Sequence, residues 1–133
     1  MKMTANVQDF KRAIAHFEDK IAFTTGPVEL SHMLESGNVN VVDVRAPEDF
    51  EKGHVPGAIN RPQGTWQNAE GLAREKVNVV YCYSQACHLA ANACREFASK
   101  WYPVMELEGG FDAWKEHEMD IEQGQESQMR KAA

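Results

Sequence analysis

The chain has 133 residues, a formal net charge of −6, 43% hydrophobic and 26% charged residues. This length fits one domain with its own core, and the acidic balance argues against nucleic acid or an anionic membrane as the main partner. No apolar run approaches the ~20 residues that span a bilayer, the first twenty residues lack the apolar block of a secretory signal, and the three cysteines cannot all pair, so a cytoplasmic protein with free thiols is expected.

Val7, Phe10, Ile14, Phe17 and Ile21 lie on one helical stripe, with Asp9, Lys11, Arg12, Glu18, Asp19 and Lys20 covering the rest. This spacing predicts an amphipathic helix, assigned to an N-terminal extension over residues 1–21. The stripe has two readings: it docks on its own domain, or it pairs with a second copy in a homodimer. "TTGPVELSHMLESGN" reads as a short helix with Thr24 or Thr25 as cap, Pro27 in its first turn and Gly37 at its end. "VNVVDV" is a β-branched run suited to a buried parallel strand. "APEDFEKG" reads as one or two helical turns between Pro47 and Gly53, and "HVPGAIN" as a turn and a brief strand.

"TWQNAEGLAREK" is expected to be helical, with Gly71 against it. "VNVVYC" repeats the strand pattern. "CHLAANACREFASKW" reads as a helix carrying Leu89, Ala93, Phe97 and Trp101 on one face, "PVMEL" as a strand and "GGFDAWKEHE" as a last helix. Residues 122–133 form a polar tail expected to fray. Strands alternating with helices imply an α/β fold with a mainly parallel sheet over residues 22–121. In such folds ligands bind beyond the carboxyl ends of the strands. Cys82, at the end of "VNVVYC", falls there.

A cysteine between a strand and a helix can be held as a thiolate by main-chain amides and by the positive end of the helix. Ser84 and Ala86 are small enough for such a loop to close around sulfur, while Tyr83 and Gln85 are expected to point outward. The alternative is a buried structural cysteine.

The flanking motifs favour the reactive reading, because the chain resembles the rhodanese-like (single-domain sulfurtransferase) family. "VVDVRAPEDFEKGHVPGAIN" is similar to the family's first signature, with Asp43, Arg45, Glu48, Gly53, His54, Pro56, Gly57, Ala58 and Asn60 in register. "VVYC" is similar to the strand that delivers the catalytic cysteine, "HLAANACREF" to the helix after the active loop, and "LEGGFDAWKE" to the closing signature with Gly109, Gly110 and Trp114. The resemblance implies a central five-stranded, mainly parallel sheet with helices on both faces. It implies a catalytic Cys82 that takes sulfane sulfur from thiosulfate or an organic or protein persulfide and passes it to cyanide or a thiol. The active-site loop is then Tyr83, Ser84, Gln85, Ala86, Cys87 and His88, and neither metal nor organic cofactor is required. From their chemistry, Asp43 and Arg45 are expected to tie the strand end to nearby loops, Glu48 to pair with Arg45, and His54 to bond backbone in the turn at Pro56 and Gly57.

The loop departs from the pattern in two ways. It has neither glycine nor basic residue, and His88 stands where related phosphatases place an arginine, which argues against phosphoryl transfer and against efficient use of dianionic thiosulfate. His88 either supplies partial positive charge or begins the helix. Cys87, five positions after Cys82, has two readings: a resolving thiol that forms a disulfide with Cys82, or a packing residue at the rim. Metal binding by Cys82, Cys87 and His88 is disfavoured for want of a fourth ligand. Cys94 is expected in the core. Trp66 and Tyr83 either line an apolar mouth or, for Trp66, cover the core. A non-catalytic binding or redox-regulatory module using Cys82 and Cys87 is the competing function.

Overall fold

The structure, a computed structural model, describes residues 7–126; the expected extension's first six residues and the tail beyond 126 lie outside the described residues. The elements are α1 (Val7–Phe23), β1 (Thr24–Thr25), α2 (Pro27–Ser36), β2 (Val39–Asp43), α3 (Pro47–Lys52), β3 (Ile59–Asn60), β4 (Val77–Tyr81), α4 (Leu89–Ser99), β5 (Val104–Leu107) and α5 (Gly110–Glu116). Five parallel strands form one sheet in the order β1-β5-β4-β2-β3, as expected.

The two β-branched runs, β2 and β4, pair at the centre with Val41 beside Val79 and Val42 beside Val80. Alternation along a strand divides their side chains between the two faces. Val41, Val79 and Tyr81 pack with Leu30 of α2, Phe50 of α3, and Phe111 and Trp114 of α5. Val42, Val44, Val80 and Cys82 pack with Ala90, Ala93 and Phe97 of α4, and with Trp66 and Ala69. Both faces are covered, as a parallel sheet requires.

Several local expectations change. The helix expected over "TWQNAEGLAREK" is absent: the segment is a series of turns. Ala69 and Gly71 have φ of 48° and 84°, and a Cβ on Gly71 would stand 2.7 Å from Ile59 Cδ1. The buried Asn78 side chain accepts from Ala73 N and donates to Ala73 O, both at 2.8 Å, so tertiary hydrogen bonds replace helical ones. Thr24 and Thr25 are not the cap of α2. They form edge strand β1, and Gly26 takes the cap position, its N–H bonded to Glu29 Oε1 at 2.9 Å. Trp101 lies past α4 with φ 71° and is 86% exposed, because the helix stops at Ser99 and the chain turns left-handed before β5.

Helix α1 also departs from the first reading of its stripe. Phe10, Ile14, Phe17 and Ile21 are 55–76% exposed, while His16, Asp19 and Lys20 overlook α4 and β5. Lys20 is paired with Glu108. The helix therefore turns polar residues toward the domain and its apolar stripe away from it. At the other end, residues 122–126 dock instead of fraying. His54 and Glu122 exchange main-chain hydrogen bonds at 2.9 Å, Gly57 N donates to Glu122 Oε1 at 2.7 Å, and Arg61 pairs with Glu126 at 3.3 Å. No helix among the described residues is long and apolar enough to cross a membrane.

The carboxyl end of β2 is secured by a buried ion pair. Arg45 Nη2 lies 2.7 Å from Asp43 Oδ2 and donates to Gly53 O at 2.6 Å, while Arg45 N donates to Asp43 Oδ1 at 2.8 Å. The guanidinium lies 4.1 Å from the centre of the Phe111 ring. Burial works against the charge, but hydrogen bonding and attraction to Asp43 outweigh it and hold Arg45 above its ordinary range. Glu48, the partner expected from sequence, is exposed, and Asp43 takes its place. His54 is buried, with Nδ1 2.6 Å from Phe50 O and its ring stacked on Phe50 at 3.7 Å.

Removing one partner of this pair leaves an uncompensated buried charge, so Asp43→Ala is expected to cost about 3–5 kcal/mol in urea denaturation. A change within experimental error would show that the pair does not secure the strand end.

Candidate active site

The loop after β4 turns back over the carboxyl end of the sheet, between α4 and α5. Two main-chain bonds set its path: Phe111 N donates to Cys82 O at 2.9 Å and Asp112 N to Tyr83 O at 3.0 Å. These are first-turn amides of α5, which have no partner within their helix. The contact is close enough to require glycine at 110. Its φ is 61°, and a Cβ there would lie 2.7 Å from Cys82 O and 2.9 Å from Ser84 N. The sequence indicated a tight turn at Gly109 and Gly110; the closeness of the loop is the further reason for the second glycine.

Side chains add two more ties. Gln85 Oε1 accepts from Gly109 N at 2.6 Å, so Gln85 reaches back to the β5–α5 corner. Tyr83 donates its hydroxyl to Asp49 Oδ2 at 2.5 Å and accepts from Ala46 N at 3.2 Å. Burial, followed by the Asp49 bond, raises the Tyr83 hydroxyl above the usual phenol range. Within the loop, Cys87 N donates to Ser84 O at 3.2 Å. Ala86 is exposed. His88 caps α4 by backbone, its carbonyl accepting from Asn92 N at 3.0 Å, and its ring offsets part of the burial that raises the Glu106 carboxyl.

Cys82 is 1% exposed. Its sulfur lies 3.4 Å from Cys87 O, to which the thiol donates. Amides of Ser84 and Ala90 reach Cys82, and amides of Tyr83 and Leu89 reach Cys87. Leu89 and Ala90 open α4, so the first amides of that helix are divided between two sulfurs. Both thiols are free, and each shifts the acidity of the other.

The acidity of the pair reverses the sequence expectation. Burial, then the bond with Cys87, pushes the Cys82 thiol up to about 11, against the opposing amides of Ala90 and Ser84. At Cys87 burial also raises, but the Cys82 hydrogen bond and the amides of Leu89 and Tyr83 prevail, and its thiol falls below the ordinary value. The expected thiolate on Cys82 at neutral pH is thus corrected. A sulfur packed among Val80, Ala90 and Phe97 loses more solvation than two amides restore. The more acidic thiol is the half-buried Cys87.

Cys94 is held protonated, its thiol pushed to about 12 by burial and by Glu106. Trp66 covers the core: it is buried, packs edge-on against Phe97 at 6.1 Å, and donates Nε1–H to Arg61 O at 2.7 Å. Two cavities flank the loop, and Cys82 lines neither. One of about 610 Å³ runs between α1 and α4 past Gln85, Cys94, Arg95 and Glu106. The other, of about 640 Å³, opens beside Tyr83, Arg45, Phe111 and Lys115. Sequence reasoning missed Gln85 as a tie and the division of α4's amides; only the second Cys in the loop pointed toward the latter.

Comparison with known proteins agrees with this architecture. The model of the rhodanese-like domain family matches residues 26–117. The chain is 32% identical over 90 residues to the thiosulfate sulfurtransferase GlpE of Shewanella oneidensis, covering 66% of this chain and 87% of that protein. It is 33% identical over 99 residues to the HTH-type transcriptional regulator Rv0324 of Mycobacterium tuberculosis, covering 72% of this chain but spanning only 43% of the regulator. Among solved structures, the BH2092 protein from Bacillus halodurans superposes with a TM-score of 0.78 at 32% identity, covering 85% of each chain. With the family model matching most of its length, this chain belongs to the rhodanese-like domain family.

Proposed function

We propose that the protein is a sulfurtransferase that carries sulfane sulfur as a persulfide on Cys82. The observation that carries this reading is the position of Cys82, at the carboxyl end of the central strand and before the start of α4. Family membership and the likeness to a thiosulfate sulfurtransferase support it.

Burial holds the resting Cys82 thiol protonated, so the nucleophile forms by deprotonation of Cys82 as the donor binds. The proton passes to solvent, and the charge forms on a sulfur whose ionised form the amides of Ser84 and Ala90 favour. Cys82 Sγ then bonds to the sulfane sulfur of the donor. The donor's sulfur–sulfur bond breaks, and the remaining fragment leaves with the electron pair. In the second step a thiol or cyanide attacks the outer sulfur and releases the Cys82 thiolate. Residues 83–88 contain no Lys or Arg, so a persulfide donor suits the loop better than the thiosulfate dianion.

The deep burial of Cys82 and its raised thiol favour one competing reading, a non-catalytic binding or redox module. Intact-mass measurement separates the two. Exposure to polysulfide is expected to add about 32 Da to the protein, mapped to Cys82 and lost in Cys82→Ser. No adduct with thiosulfate, polysulfide or an organic persulfide leaves the non-catalytic reading.

Peptide-mapped alkylation across pH tests the order of ionisation. Cys87 is expected to label first, with a midpoint below that of a free thiol, and Cys82 only as pH rises toward about 11. Labelling of Cys82 ahead of Cys87 at neutral pH would overturn this order. Gly110→Ala places a Cβ against Cys82 O and Ser84 N. It is expected to cost about 2 kcal/mol in stability and to abolish sulfur loading; full loading at wild-type stability would show the loop free to move away.

A further inference from the structure

We propose that Cys87 resolves the Cys82 persulfide, making the protein a thiol-dependent persulfide reductase that releases hydrogen sulfide. The proposal rests on the Cys82 persulfide of the preceding reading and adds the fate of the sulfur.

The geometry points to Cys87 in three ways. Its carbonyl accepts from Cys82 Sγ at 3.4 Å, so residue 87 lies against the sulfur that carries the persulfide. The 84–87 turn, closed by Cys87 N on Ser84 O at 3.2 Å, holds residue 87 above that sulfur. Amides of Tyr83 and Leu89 supply the donors that stabilise a thiolate at Cys87, and it is the thiolate that attacks a disulfide-type sulfur. Cys94, the other thiol on this side of the sheet, is bonded to Met105 O at 3.8 Å and held protonated, so it is a poor competitor.

The reaction balances without an oxidant. The Cys87 thiolate attacks Cys82 Sγ. A Cys82–Cys87 bond forms, the bond from Cys82 Sγ to the outer sulfur breaks, and the outer sulfur leaves with the electron pair as HS⁻, which takes up a proton. The outer sulfur is reduced and the two cysteines are oxidised to the disulfide. Two equivalents of a low-molecular-weight thiol then reduce that disulfide and become oxidised to their own disulfide. Disulfide formation requires the two sulfurs to close to about 2.05 Å, and the turn that sets Cys87 O 3.4 Å from Cys82 Sγ keeps the two residues side by side.

The test compares wild type with Cys87→Ser, each exposed briefly to polysulfide without oxygen, desalted, and followed by intact mass and sulfide release without added thiol. Wild type is expected to lose the adduct, release one equivalent of sulfide, and reach a mass about 2 Da below the dithiol form, with Cys82 and Cys87 linked in the peptide map. Cys87→Ser is expected to keep its adduct at least about tenfold longer, since it lacks a thiol at high effective concentration, and to release sulfide only when an external thiol is added. Equal adduct lifetimes, with no Cys82–Cys87 disulfide in wild type, would overturn the resolving role while leaving Cys82 as sulfur carrier. Absence of the adduct from Cys87→Ser, together with neither adduct, sulfide nor disulfide from wild type, would overturn the carrier reading itself.

Discussion

The site is shaped by the contact between the loop after β4 and the start of α5. A helix begins with amides that have no partner in their own helix, and α5 gives two of them to Cys82 O and Tyr83 O. That choice fixes the main chain at the strand end and brings it so close to residue 110 that only hydrogen fits at the α-carbon. It also decides where positive potential is available. The N-terminal amides of α5 are committed to carbonyl oxygens, so stabilisation of a sulfur anion falls to α4 and to the loop itself.

Helix α4 serves two sulfurs at once. Its first amides reach both thiols, and neither thiol receives the whole set. The buried sulfur loses more by desolvation than it gains, while the half-buried one gains more than it loses. The result is a dithiol in which the deeper cysteine is the worse acid. Such a pair is suited to chemistry in which proton and sulfur both move between two sites, and poorly suited to a single permanent thiolate. The absence of an arginine or lysine from the loop is consistent with this division, since the stabilising groups are main-chain dipoles whose reach is short.

The Asp43–Arg45 pair supports the same region from the β2 side. Arg45 crosses from Asp43 to Gly53 O and lies over Phe111, so one guanidinium links the end of β2, the turn after α3 and the start of α5. Tyr83 adds the contact to α3 through Asp49 and Ala46. The loop is therefore held by α5 and Gly109 on one side and by α3 on the other. The docked segment 122–126 closes the outer edge near β3.

Much of the fold was legible because its signals are local. The β-branched runs "VNVVDV" and "VNVVYC" specify central strands wherever they are placed, and the 3.6-residue periodicities of α1 and α4 read as helices without knowledge of neighbours. The position of Cys82 at a strand end followed from the same patterns. What the sequence could not determine depended on distant groups. Asn78 of β4 and Ile59 of β3, each fixed in place by the sheet, dictate the turns at 65–76 where local propensity favours a helix. The orientation of the α1 stripe depends on where the helix leaves β1 and on Lys20 meeting Glu108. The order of acidity between Cys82 and Cys87 depends on the balance of desolvation against amide donors, and both terms exist only once α4, the sheet and the loop enclose the sulfur. Sequence alone thus determined the two central strands, the main helices and which cysteine stands at the end of the central strand. The tertiary structure decided which thiol is the better acid, because solvation is lost and dipoles are aimed only when separate parts of the chain come together.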